Sequence, residues 1–268
     1  MRLVKIAMLG DVIGTPGMEV LEANLPGLIQ EHKIDFVTVN GENAADGFGM
    51  AENDFRRIIA AGADVITSGN HVWEKRDFWP VLENEKTMLR PANYAAGAPG
   101  SGFVKIEKNG ITYIVINLQG REFMGAIDCP FQCFDRIVEA QASAGGQRPV
   151  ILVDFHAESS REKEALGFYA DGRASLFAGT HTHVQTADER ILPKGCAYIT
   201  DLGITGITES VIGMDPKICQ ERFRRQILLQ MEPAKTGFSQ IQGVIAEINA
   251  DTGEAVSVMR AGVVGAWC

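Results

Sequence analysis

Apolar residues recur in short runs along the chain. They fall at Val4–Leu9, Phe36–Asn40, Val65–Ser68, Ile111–Asn117, Val150–Phe155, Ala174–Ala178, Ala197–Thr200 and Val244–Ile248. Runs of this length, bounded by Gly, Asn and Asp, predict strands. Helical spacing separates several of them, over Gly17 to His32 and over Glu52 to Ala61, where Phe55, Ile58 and Ile59 share one face. Strands that alternate with helices imply right-handed βαβ units and a parallel sheet. Further along, Asn109-Gly110 joins Phe103–Lys105 to Ile111–Asn117, and Asp251-Thr252-Gly253 joins Val244–Ile248 to Ala255–Arg260. Both are hairpin signals, so antiparallel pairs accompany the parallel ones. The fold expected is α/β, with two mixed β-sheets packed face to face and flanked by helices. No linker composition interrupts it, which predicts a single domain over residues 1–268. Ala95–Gly102 and Ala140–Gly146 read as loops.

Composition narrows the function classes. Twenty-five Lys and Arg against 34 Asp and Glu give the 268-residue chain a net charge of −9, dispersed along its length. No stable nucleic-acid complex is expected, because such binding needs clustered cations. Anionic small molecules stay possible, since bound cations can reverse the sign of a site. The cysteines, Cys129, Cys133, Cys196, Cys219 and Cys268, are odd in number and irregular in spacing. Leu3 to Leu9 is short for a signal segment and contains Lys5, and no run approaches the roughly 18 apolar residues that cross a bilayer. A cytoplasmic protein without a membrane partner is expected.

The candidate chemistry lies at the strand ends. Gly10-Asp11, Asn40-Gly41-Glu42-Asn43, Gly69-Asn70-His71, Asp154-Phe155-His156 and Gly179-Thr180-His181-Thr182-His183 each terminate an apolar run. Open α/β sheets place their sites there. Asp11, Glu42, Asn43, Asn70, His156, His181 and His183 supply carboxylates that can bridge cations, with amides and imidazoles that fill terminal positions. That is enough for two metals of about four protein ligands each, held roughly 3.5–4 Å apart as in two-metal hydrolases.

This ordered series resembles the five-motif signature of calcineurin-like metallophosphoesterases. It is most similar to the YmdB-type branch, to which Gly10-Asp11-Val12-Ile13-Gly14, Leu89-Arg90-Pro91-Ala92-Asn93-Tyr94 and Asp201-Leu202-Gly203-Ile204-Thr205-Gly206 also correspond. The resemblance implies that Asp11, Glu42, Asn43 and His183 hold one metal. It implies Glu42, Asn70, His156 and His181 for the other, with Glu42 bridging and His71 left unligated as proton donor. The wider superfamily has histidine where Ile13 stands and aspartate where Glu42 stands. The first site therefore becomes oxygen-rich, which favours iron or manganese over zinc. The activity implied is phosphodiester hydrolysis by a metal-bridging hydroxide, with 2′,3′-cyclic nucleotides as substrates, in a homo-oligomer. The alternatives are a broad-range phosphomonoesterase and a metal-containing regulatory protein with little turnover.

Plainer readings stand beside these. His181 and His183 suit one face of a strand, Asp11–Thr15 suits a phosphate-binding turn at a helix N-terminus, and Asn43 and Asn70 suit turns. His32 reads as a solvated helix end. Cys129 and Cys133 lack a second ligand pair for zinc and read as structural. Glu74 is spaced to orient His71. Arg121, Phe123 and Met124 fit either a roof over the site or ordinary packing. Trp73, Phe78 and Trp79 fit either core or a subunit interface.

Overall fold

The computed structural model describes residues 1–141 and 148–267, and side chains as far as residue 262. In chain order its elements begin with β1 (Leu3–Leu9), β2 (Asp11–Val12), α1 (Gly14–His32), β3 (Phe36–Asn40), α2 (Glu52–Ala61), β4 (Val65–Thr67) and α3 (Trp79–Asn84). Next come β5 (Phe103–Lys108), β6 (Ile111–Gln119), α4 (Pro130–Gln141), β7 (Val150–His156), α5 (Ser160–Ala170) and β8 (Leu176–Thr180). The chain ends with β9 (Arg190–Ile191), β10 (Ala197–Ile199), β11 (Ile204–Ile207), α6 (Pro216–Arg225), β12 (Phe238–Asn249) and β13 (Glu254–Trp267).

Two mixed sheets form, as expected. In the first, β1, β3 and β4 are parallel, while β12 runs antiparallel to β1 and β13 antiparallel to β12. β11 continues along the edge of β12 that β1 occupies, and carries β2. The second has the order β5-β6-β7-β8-β10-β9, parallel through its centre. Period-two alternation divides each strand between layers. Ile6 and Met8 of β1 enter the layer between the sheets with Val115, Leu152 and Leu176, while Ala7 and Leu9 face Leu21 and Leu25 of α1 and Ile58 of α2. Val153, Phe155 and Phe177 cover the opposite side against Phe134 of α4 and Leu166 of α5.

Along the inner faces the character changes toward the strand C-termini. Phe36 gives way to Thr38 and Asn40, Val115 to Asn117, Leu152 to Asp154 and His156, and Ala178 to Thr180, all buried. One end of the inter-sheet layer is apolar and the other is polar.

Several elements differ from expectation. α1 starts three residues before Gly17, because the Asp11–Thr15 turn feeds directly into it. Its first N–H groups are already used: Ile13 donates to the Thr205 carbonyl at 2.9 Å and Gly14 to that of Asn43 at 2.9 Å. Two of the amides that a phosphate-binding turn would offer are thus occupied. β12 extends well before Val244, and β8 is displaced to Leu176–Thr180. Asn109 and Gly110 both have positive φ, 52° and 68°, as the tight hairpin between β5 and β6 demands. Of the expected Ala140–Gly146 loop, Ala140 and Gln141 belong to α4, and residues 142–146 lie outside the described residues. Among the described residues no helix is long and apolar enough to cross a membrane.

Candidate metal centre

The polar end of the inter-sheet layer collects every ligand candidate from five strand ends. Glu42 Oε1, Asn70 Oδ1 and His181 Nδ1 each lie 3.0 Å from His156 Nε2. Ligands at about 2.1 Å from one cation sit about 3 Å apart when they occupy adjacent octahedral corners. The spacing matches that of ligand atoms around one shared ion. Glu42, His156 and His181 also form the group of potential ligand atoms that lie within 4.8 Å of one another.

The second half of the centre is marked by unsatisfied oxygens. Asp11 Oδ1 and Asn43 Oδ1 are buried with no polar partner, and Asp11 Oδ2 and Glu42 Oε1, buried as well, have only the imidazole nitrogens of His183 and His156 beside them. Orphaned buried acceptors cost on the order of 1–3 kcal/mol each, so their convergence needs a positive charge. Asn43 donates Nδ2 to the Gly47 carbonyl at 2.8 Å, which aims Oδ1 inward. His183 Nε2 completes the group at 3.1 Å from Asp11 Oδ2.

Each imidazole is fixed from behind. His156 Nδ1 is 3.0 Å from Thr180 Oγ1, whose hydroxyl donates to Asp154 Oδ1 at 2.6 Å. A hydroxyl that donates to Asp154 accepts from His156, so the proton sits on Nδ1 and Nε2 presents a lone pair. His183 Nδ1 meets the Ile212 carbonyl at 2.9 Å, and His181 Nε2 meets Glu158 Oε2 at 3.2 Å. Asp154 also accepts from Asn40 at 3.1 Å and from the Thr67 hydroxyl. Burial pushes its pKa up to about 6 despite those bonds.

Charge at the centre is strongly coupled. Burial raises the Glu42 pKa, but His156 and His71 outweigh it and hold the carboxyl at about 2. Burial lowers His183, yet the Asp11 carboxylate carries it to about 9; His181, buried and beside His156, falls to about 3. For His156 the pull of Glu42 exceeds the burial penalty and raises it. Protons and metal cations are attracted to the same places.

Backbone strain is concentrated here. His181 and His183 have φ of 97° and 63°, and the β-branched Ile212 has 51°. Such conformations cost on the order of 1–3 kcal/mol each and persist only when surroundings hold them. The residue between the histidines is held tightly: Thr182 donates its N–H at 3.1 Å and its hydroxyl at 2.7 Å to Asp201 Oδ2. Asp201 is paired in turn with buried Lys163 of α5. A Cβ on Gly69 would overlap the His156 ring, so glycine is needed before Asn70.

His71 stands outside both groups. Its N–H donates to Glu42 Oε2 at 3.0 Å, its Nδ1 faces Glu74 Oε1 at 3.3 Å, and its ring meets Phe48 edge-on. It lines a cavity of about 610 Å³ together with Glu42, Asn43, His181 and His183. Arg121 and Met124 line a separate cleft with Glu122 and Arg161, and are no roof over this cavity. Phe78 is buried, while Trp73 packs on the core and stacks edge-on with Trp79 and Tyr94. His32 ends α1, and Cys133 lies one helical turn after Cys129, with both thiols free.

The sequence reading missed the supports behind the ligands and the far wall of the cavity. Asp201 had a signal in its Asp-Leu-Gly-Ile-Thr-Gly segment. Lys163 had none.

The family model described as "YmdB-like protein" matches residues 7–261. A Bacillus subtilis protein named 2′,3′-cyclic-nucleotide 2′-phosphodiesterase is 43% identical over 257 residues, covering 96% of this chain and 96% of that one. The crystal structure of a phosphatase from Mycoplasma pneumoniae superposes with a TM-score of 0.91 at 32% identity, over 98% of this chain and 94% of that one. A putative 5′-nucleotidase from Staphylococcus aureus shares the fold alone, at a TM-score of 0.62 and 15% identity, over 99% of this chain and 55% of that one. The match over nearly the whole length places the chain in the metallophosphoesterase fold, and it belongs to the YmdB-like family.

Proposed function

We propose that this phosphoester hydrolase cleaves phosphodiesters, with nucleoside 2′,3′-cyclic phosphates as its substrates, at a centre that takes two metal ions. The observation that carries the reading is the set of buried orphan oxygens on Asp11, Glu42 and Asn43 beside the three imidazole nitrogens. Asp11, Glu42, Asn43 and His183 would hold one ion, and Glu42, Asn70, His156 and His181 the other. The donors of the first set are mostly oxygen, which suits iron or manganese. When bound, such cations lower the pKa of water and offset charge gathering on phosphoryl oxygens.

The chain's own residues do the rest. Thr180, Ile212 and Glu158 hold the three imidazoles in ligating tautomers. Glu42 ties the metal groups to His71 through its second oxygen. With Nδ1 donating to Glu74, the doubly protonated ring of His71 would carry a second proton on Nε2, to be given to the oxygen that departs as its bond to phosphorus breaks and the bond from water forms. The likeness to the Bacillus subtilis enzyme supports a cyclic diester as substrate.

The test is metal-reconstituted protein assayed against cyclic diesters and a panel of monoesters. Opening of 2′,3′-cyclic nucleotides to a single phosphomonoester product is expected. Faster turnover of monoesters than of any diester would overturn the reading.

A further inference from the structure

The cavity above the metal centre has two walls of opposite character. One carries Glu42, Asn43, His181 and His183 together with His71, Glu158 and Thr182. The other is made by Phe48, Ile212, Met214, Arg222, Phe223 and Met231. Phe48 joins the two, because its ring sits 5.1 Å from that of His71. A group attached to a leaving oxygen at His71 would meet the Phe48 edge of the apolar wall first.

Phe223 is the unusual member. It comes from α6, which Asp215 caps through bonds to the Lys217 and Ile218 N–H groups and which buries Cys219 as its anchor. Its ring is nonetheless 68% exposed while it borders the cavity. An exposed aromatic face that lines the same cavity as half-buried Met231 and buried Met214 suits a flat, variable partner. This wall also has no neutral hydrogen-bonding side chain, and its one charged head, Arg222, already donates to the Leu229 carbonyl at 3.2 Å. A surface of that kind reads a π-face and leaves base edges unread.

We infer that the α6 wall is the nucleobase subsite: Phe223 stacks on the base of the cyclic nucleotide and accepts all four bases. This rests on the cyclic-diesterase reading above and specifies how that substrate is held.

The test compares kcat/KM of metal-loaded wild type, Phe223→Ala and Phe223→Trp. The substrates are the four nucleoside 2′,3′-cyclic phosphates and the cyclic phosphate of glycerol, which keeps the reacting ring but lacks a base. Wild type should favour all four nucleotides over the glycerol compound, with a spread among bases below about tenfold. Phe223→Ala should erode that preference by roughly 5- to 100-fold, mainly through KM, and Phe223→Trp should restore it. Equal losses on all five substrates would overturn the inference. So would a preference for one base of about 10⁴-fold, the mark of hydrogen-bonded edge reading. Efficient cleavage of the glycerol compound with no preference for nucleotides would remove the base subsite and leave the diesterase standing. Cleavage of none of the five would remove both. A Phe223→Ala protein that changes oligomeric state but keeps the nucleotide preference would mark the ring as a contact between copies instead.

Discussion

Lys163 Nζ lies 2.7 Å from Asp201 Oδ2, and neither side chain reaches solvent. Neither residue lines the cavity. Asp201 also receives the Thr182 N–H and hydroxyl and the Gly203 N–H, so the carboxylate is well satisfied. Lys163 reaches it past Gly179, where any side chain would collide with the lysine stem and the Thr200 carbonyl. The glycine that opens the Gly179–His183 segment thus serves a cation behind the site.

Breaking this pair is expected to damage folding and metal binding together. Asp201→Ala leaves the buried Lys163 charge unpartnered, which costs about 3–5 kcal/mol, measurable by denaturant titration, and Lys163→Met, which leaves Asp201 its three remaining hydrogen bonds but no counter-ion, should cost less. Thr182→Val removes only the hydroxyl bond and should fold nearly as well as wild type. It should still weaken metal affinity by about 10- to 100-fold, as loss of a ligand's support does. Wild-type metal affinity in Thr182→Val would show that Asp201 stabilises the loop without aligning its histidines.

Metal stoichiometry should separate shared from single ligands. Glu42→Ala is expected to lose both ions, whereas Asn70→Ala and Asn43→Ala should each lower occupancy of one. Elemental analysis of protein purified without added metal reads this directly. A Glu42→Ala protein with two bound ions and full turnover would end the two-metal assignment.

His71→Ala should keep its metals and lose about 10²–10⁴ in turnover on substrates with poor leaving groups. With nitrophenolate as leaving group, which departs without a proton, the loss should shrink. The same deficit on both would make His71 a phosphate-positioning group.

Ile13 stands where the wider superfamily has histidine, and the structure explains why a simple reversal is not expected to work. Its side chain is buried with Ile204, Met214 and Cys219, and lies against Gly206 and Gly213. Ile13→His should therefore destabilise the protein by roughly 1–3 kcal/mol by burying an imidazole among apolar groups, without raising zinc-supported turnover. A stable Ile13→His protein whose preference moves to zinc would show that the loop can turn this residue toward the metals.

The strand ends were legible because one short apolar run followed by Gly, Asn, Asp or His carries both its secondary structure and its candidate chemistry. Helix α2 could be read to the residue, since Phe55 and Ile58 repeat on one face and Gly62 closes it. The supports were not legible, because they are long-range: Thr67 finds Asp154 and Lys163 finds Asp201 only once the sheets are assembled. The α6 wall escaped for a different reason. Pro216–Arg225 is strongly polar and buries only Cys219, so its lone aromatic at Phe223 had no periodicity to mark it. Residue type alone did not show that Trp73 and Trp79 are half-buried and meet edge-on, with Tyr94 edge-on against Trp73.

The alternation of inner-face residues has a consequence for how errors in this protein would appear. Asp154 and His156 stand in register with Ala178 and Thr180 on one side and with Asn117 and Gln119 on the other. A slip of β7 by one residue would turn Val153 and Phe155 toward the candidate metal centre and drive Asp154 and His156 against α4 and α5. Val150 and Leu152 forbid that slip, because they too would leave their apolar layer. Ordinary core packing therefore acts as the alignment gauge of the metal centre. A repacked β7 is a place where activity could disappear before stability does.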